Sequence, residues 1–305
     1  MRKERKVKGK PVFIHSLFRS GSTYFFTVFR RADGFWCYQE SLHEMAFFSK
    51  NNIDELQKDF GEEASLILRH PSVGDGYFYE LAEVWSEWKN VITDVMIYDS
   101  YFSEKGNDER SLPYFKALIN SAKARPVFQE CRTSGRINII KEGVGGYHIY
   151  LWRNPWDQWW SYKATPYFDV ANQLIIHSSN APKSVCTLIN ELELMKSEGN
   201  DLKKNIDFYT GHPLTSEESY LVFYLLWCLA LRSGLNASHL MINIDKLSNS
   251  SEYKNEVINA MKNDADIMGI DFSDCRIPQA RYDQRDIAFF STLEDRVHRL
   301  LLQDD

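Results

Sequence analysis

The sequence predicts an α/β protein, an open parallel sheet of about five strands flanked by helices. Short apolar runs of strand length alternate with helical stretches, which is the pattern of βα units. No internal repeat, low-complexity tract or Pro/Gly/Ser-rich linker divides the 305 residues, so 11–305 reads as one domain behind a basic tail at 1–10. Composition agrees: 44% hydrophobic and 26% charged residues are ordinary values for a globular chain and exclude disordered, collagenous and coiled-coil classes.

Residues 11–17 (PVFIHSL) form the first expected strand. Phe18-Arg19-Ser20-Gly21-Ser22-Thr23 follows, with a helix over 22–31. Phe35–Gln39 is a second short strand, running into Glu40-Ser41-Leu42-His43-Glu44. Arg125–Glu130 reads as the third, Tyr147–Trp152 as the fourth and 239–244 as the fifth. Regions 43–122 and 167–215 are expected to cover the working edge of the sheet. Thr215-Ser216-Glu217-Glu218 is a capping box and Gly234 a C-terminal stop, giving a buried helix over about 216–233.

The formal charge is −6, unevenly spread. Residues 1–10 hold six bases and one acid, leaving 30 bases against 41 acids elsewhere, a net −11. An acidic body argues against nucleic-acid binding, and the leader reads as a solvated end. The leader lacks the apolar stretch of a signal peptide. The longest apolar run, 220–231, is about half of the ~20 residues a membrane helix needs, so no integral membrane segment is expected. Five scattered cysteines (37, 131, 186, 228 and 275) without a CxxC pair fit a reducing, cytoplasmic compartment and no structural zinc.

Ligands of open parallel sheets bind beyond the C-terminal ends of the strands. There the chain reads Arg19-Ser20-Gly21-Ser22-Thr23, between a strand and a helix. A glycine turn, a helix start, two hydroxyls and one cation make an anion cradle, although the same pentapeptide also describes an ordinary capped helix. It is P-loop-like but not a Walker A loop: Ser22 stands where that motif has lysine. After the fourth strand, Arg153-Asn154-Pro155-Trp156-Asp157 places Asn154 as N-cap, Pro155 at N1 and Asp157 at N3, with Ser161 one turn beyond Asp157. Trp156, Trp159 and Trp160 read as core or interface aromatics rather than base-stacking groups.

With these residues the chain resembles sulfotransferases that use 3′-phosphoadenosine 5′-phosphosulfate (PAPS), closest to the bacterial and carbohydrate branch with its Arg-type loop. The resemblance covers roughly 11–44 and 125–165, and more weakly 215–250. It implies the sulfotransferase fold, with Arg19, Ser20, Gly21, Ser22 and Thr23 holding the 5′-phosphosulfate. Arg153 and Ser161, spaced by eight, would hold the 3′-phosphate. No C-terminal Arg-Lys-Gly element is found, and Arg276, Arg281 and Arg285 are candidates for its replacement. The implied reaction is in-line sulfuryl transfer from PAPS, without metal, to an acceptor hydroxyl on a glycan, glycolipid or small molecule. Arg19 would stabilise charge, and Glu40 would be the general base, ahead of His43, with Glu44 third. A P-loop kinase or NTPase and a catalytically silent nucleotide-binding scaffold are the alternatives.

Overall fold

The computed structural model describes residues 9–57, 76–102, 109–199 and 201–304. Most of the basic leader (1–8), together with 58–75 and 103–108 of the expected cover, lies outside the described residues.

Five strands form, β1 (Val12–Ser16), β2 (Phe35–Gln39), β3 (Arg125–Glu130), β4 (Tyr147–Trp152) and β5 (Leu240–Asn243). They pair in the order β2-β3-β1-β4-β5, every pair parallel. The expected α/β architecture is therefore present, with the fifth strand shorter at both ends than 239–244. The chain winds to β3 and β2 on one side of β1 and to β4 and β5 on the other. The order changes direction at β1, the switch point beyond whose C-terminal end ligands of such sheets bind. Because β3 lies between β1 and β2, the ends of β1 and β2 are not neighbours. Whatever follows β3 stands between them.

Alternation assigns the two faces. Val12 and Ile14 join Val127, Ile149 and Leu151 beneath Phe25 and Phe29 of the Ser22–Arg30 helix. Phe13 and Phe128 point the other way, toward Phe115 and the Ser216–Ala237 helix cluster. That long helix starts at the expected box, in which Thr215 Oγ1 accepts from Glu218 N–H and Glu218 accepts from Thr215 N–H. It does not stop at Gly234. A Cβ there would lie 2.5 Å from Tyr150 Cγ, so the glycine permits close packing on β4 and the helix continues to Ala237. At 22 residues it is long and apolar enough to cross a membrane by length and composition, which the run of 220–231 did not suggest. Here Ser219–Leu226 is buried in the core. Among the tryptophans, Trp159 is core against Tyr220, Trp156 stacks on Phe290, and Trp160 is exposed.

A chain of imidazoles crosses the sheet. His148 Nε2 lies 3.0 Å from Gly145 O, His15 Nε2 2.9 Å from His148 Nδ1, and His15 Nδ1 2.7 Å from Thr133 Oγ1. A carbonyl only accepts, so His148 Nε2 carries the proton. His15 Nε2–H then donates to His148 Nδ1, and the Thr133 hydroxyl donates to His15. Burial first, then the neighbouring imidazole, holds His15 well below its usual value. Burial brings His148 down to about 4, against an opposing pull from Gly145 O.

Unfolded histidines take up protons below about 6.5, whereas the folded His148 does so only near 4. Stability is therefore lost as pH falls through that window. Urea unfolding is expected to lose roughly 2–3 kcal/mol between pH 7 and 4.5 through His148 alone, and His148→Gln is expected to flatten that slope. An identical slope in the variant would contradict this account.

Candidate functional site

Arg19 (φ 61°) and Gly21 (φ 85°) both adopt left-handed backbone, folding the turn after β1 tightly back on itself. Gly21 caps the Ser22–Arg30 helix without any side-chain cap, leaving the first amides of that helix to an external acceptor. A Cβ at Gly21 would press on Ile244 at 3.0 Å. Ser20 is fully buried and its Oγ has no hydrogen-bond partner, while Ser22 Oγ contacts Cys131 Sγ at 3.6 Å. Thr23 is buried one position further into the helix. Orphaned buried donors at a helix start suit an anion, since each unmade hydrogen bond costs about 1–3 kcal/mol.

The Pro155–Tyr162 helix meets this turn directly. Its N-cap is as expected, Asn154 Oδ1 accepting from the N–H groups of Trp156 and Asp157. Gln158 Nε2 donates to Phe18 O at 2.7 Å, and Arg19 Nε donates to Ser161 Oγ at 2.8 Å. The two segments singled out as anion sites therefore form one surface. The pairing differs from expectation, however. Ser161 is joined to Arg19, whereas Arg153 donates from Nη2 to Pro278 O (2.8 Å) and lies 3.5 Å from Asp245 Oδ1 through Nε. The reason is topological: Arg153 faces the β5 side, where Asp245 follows the strand and accepts from Asn154 N–H. Arg153 Nε is buried without a hydrogen-bond partner among the described residues.

Residues 276–282 close this side. Asp157 Oδ1 accepts from Ala280 N–H (2.8 Å) and the Tyr282 hydroxyl (2.6 Å), and Ile277 borders Gly21. The segment reaches the site through the Pro278 carbonyl, the Ala280 amide, the Tyr282 hydroxyl and the Ile277 side chain, and not through an arginine. Arg276, Arg281 and Arg285 are exposed, and Arg276 spends its guanidinium on the Ser273 and Cys275 carbonyls.

On the opposite flank, the end of β3 supplies what the sequence reading did not single out. Arg132 is fully buried, with Nη1 2.5 Å from Glu40 Oε2 and Nη2 2.8 Å from Glu44 Oε2. Its guanidinium lies over Phe18, 5.0 Å from the ring centroid, tying this cluster to the cradle turn. Tyr77 donates to Glu40 Oε1 (2.6 Å) and Tyr98 to Glu44 Oε2 (3.1 Å), and the Tyr167 hydroxyl accepts from Arg132. Burial pushes both carboxyls up, but neighbouring positive charge outweighs it. Arg132 leads for Glu40, which is held below its usual value, and His43 followed by Arg132 holds Glu44 down at about 2. Both are ionised at neutral pH.

His43 does not fit the role of base in this arrangement. Its Nδ1 accepts the Met45 N–H at 3.1 Å as N-cap of the Glu44–Phe48 helix, so the basic lone pair is already engaged. Glu130 was also not singled out. Its carboxylate accepts from Ser41 N–H (2.8 Å) and the Ser41 hydroxyl, pinning the turn that carries Glu40, and burial raises it to about 7. The available signal was a charge at the end of an apolar strand (Glu130) or just beyond it (Arg132) on the ligand-binding rim. Backbone strain marks the same place: of four positive-φ non-glycine residues among those described, two are Arg19 and Glu40 (φ 37°).

No protein-family model, curated protein or solved structure matches this chain.

Removing Arg132 would leave two buried carboxylates repelling one another. Arg132→Met is expected to cost about 3–5 kcal/mol of unfolding free energy in urea at pH 7. The deficit should shrink when Glu40→Gln and Glu44→Gln are added; an additive result would contradict the bridging role.

Proposed function

We propose that this protein is a PAPS-dependent sulfotransferase that moves a sulfuryl group to an acceptor hydroxyl, with the fold of that family. The observation that carries the reading is the 2.8 Å hydrogen bond from Arg19 to Ser161, which makes one surface of two motifs 142 residues apart. The residues suit a nucleotide with phosphates at both ends. Ser20 Oγ, the uncapped amides of Ser22 and Thr23, and Arg19 offer donors at one end. Arg153, whose Nε is buried without a hydrogen-bond partner among the described residues, offers them at the other.

When bound, PAPS supplies an activated sulfuryl group for in-line transfer. Arg19 and the 20–23 amides stabilise the charge that gathers at that end of the cradle, an effect typically worth ~3–4 kcal/mol per donor. Glu40 is the proposed base. It is ionised, its backbone is strained into position, and it is fixed by Tyr77 and Arg132. The arginine that keeps Glu40 charged also weakens it as a base, so proton acceptance is matched to an acceptor whose acidity rises as its bond to sulfur forms. The acceptor is a glycan, glycolipid or small-molecule hydroxyl.

A [³⁵S]PAPS transfer assay over mixed acceptors tests the activity, and Glu40→Gln is expected to reduce turnover at least ~100-fold with nucleotide affinity retained. Near-native turnover would remove Glu40 from the role. Arg153→Ala is expected to weaken binding of 3′-phosphoadenosine 5′-phosphate by about 10–100-fold in calorimetry. Thermal stabilisation by ATP–Mg²⁺ but not by that nucleotide would overturn the reading in favour of a nucleoside-triphosphate enzyme.

A further inference from the structure

Glu130 ends β3 beside the turn that carries Glu40, and its buried carboxylate gathers the donors of that turn. Ser41 N–H donates to Oε1 at 2.8 Å, the Ser41 hydroxyl donates to the same oxygen, and Leu42 N–H reaches Oε2 at 3.4 Å. β2 pairs with β3 as far as Gln39 opposite Gln129, and Glu40 N–H still donates to Gln129 O at 2.7 Å. There the left-handed Glu40 (φ 37°) turns the chain off the strand, and the Glu130 side chain supplies the acceptor for the next two amides. The carbonyls of the turn are held too, Ser41 O by the Tyr114 hydroxyl (2.7 Å) and Glu40 O by His43 N–H (2.8 Å). Those two bonds have neutral donors. The amides instead depend on a carboxylate, whose bonds are roughly twice as strong when it is ionised.

The titratable groups that face this carboxylate among the described residues are Glu40 from the turn, Arg132 from the loop beyond β3, Tyr114 from the Leu112–Ser121 helix and His15, its register partner on β1. Burial pushes Tyr114 well above its ordinary value and His15 well below, so both stay neutral around pH 7. Arg132 keeps its charge, Glu40 is held below the usual carboxylate value and Glu44 at about 2, and burial lowers His43. Glu130 differs. Burial raises it to about 7 against the pull of the Ser41 hydroxyl, and the Glu40 charge adds to the rise. Near neutrality it is the group of this cluster that changes charge.

We propose that Glu130 is a positioning residue for Glu40, whose carboxylate holds the strained 40–42 turn in the geometry for proton acceptance and slackens that grip when it takes up a proton. Strained backbone persists only where its surroundings over-determine it, so weakening the bonds to Ser41 and Leu42 lets Glu40 relax. The inference rests on Glu40 as the base of the proposed transfer. Since Glu40 keeps its charge to lower pH, the acidic limb of turnover belongs to Glu130 and not to the base.

The test follows the full chain between about pH 5.5 and 8.5 in two arms. In amide NMR without nucleotide, the Ser41 and Leu42 proton shifts are expected to titrate with a midpoint of about 7, and to stay level in Glu130→Gln. In transfer from [³⁵S]PAPS over the mixed acceptors, native turnover is expected to fall about tenfold from pH 8 to 6. Glu130→Gln is expected to turn over at least ~5-fold more slowly than the native protein at pH 8 and to be level across that range, with affinity for 3′-phosphoadenosine 5′-phosphate within about twofold of native. Ser41→Ala removes one donor to the ionised form and is expected to move both midpoints upward; should Glu130→Gln not fold, unmoved midpoints in Ser41→Ala overturn the inference. Amide shifts that do not titrate near 7, or titrate identically in Glu130→Gln, overturn the grip on the turn. A turnover limb that survives in Glu130→Gln overturns its link to Glu40. Absence of transfer by the native protein overturns the functional reading instead, and the amide titration then decides the grip of Glu130 by itself.

Discussion

Arg132 is buried completely, and one guanidinium holds two carboxylates that would otherwise repel each other in a medium that hydrates neither. Much of the rim is arranged around this bridge. Glu40 is held from β2 and Glu44 from the helix that follows, while Tyr98 and Tyr167 close the network and Phe18 covers the guanidinium. The pairing is not chiefly a source of stability, since desolvating three charges is expensive; its effect is to fix where ionised groups sit. It keeps a carboxylate charged and immobile near the glycine turn at 19–23.

Backbone strain gathers in the same region. Arg19 and Glu40 hold backbone conformations that residues with side chains seldom adopt, and each is kept there by contacts on several sides. Ser20 Oγ is buried without a partner a few ångströms of chain away. Left-handed non-glycine residues and an unmade hydrogen bond each raise the energy of the folded state. Two of the four left-handed non-glycine residues among those described lie on this rim, whereas unpaired buried polar atoms also occur elsewhere in the fold, at Tyr101 and Asn172 for example.

Much was legible in the chain itself. Apolar runs flanked by turns marked the strands because β1 and its neighbours are buried on both faces, which demands continuous hydrophobicity. Caps at Asn154 and Thr215 were legible because they act within four residues, and the glycine turn at 19–23 because its conformation is local. Gly234 shows the limit: the same residue type ends helices and admits close neighbours, and only Tyr150 decides between them.

Tertiary structure alone decided the neighbours. Strand order is absent from local pattern, so nothing in residues 35–44 or 125–136 announced that β3 would stand between β1 and β2 and deliver Arg132 onto Glu40. The partner of Ser161 and the closure by 276–282 likewise depend on contacts between segments far apart in the chain. The sequence by itself determined which segments become strands, turns and caps, because those follow from interactions a few residues long. Which charges neutralise one another was decided by packing, because electrostatic partners are set by distance in space and not along the chain.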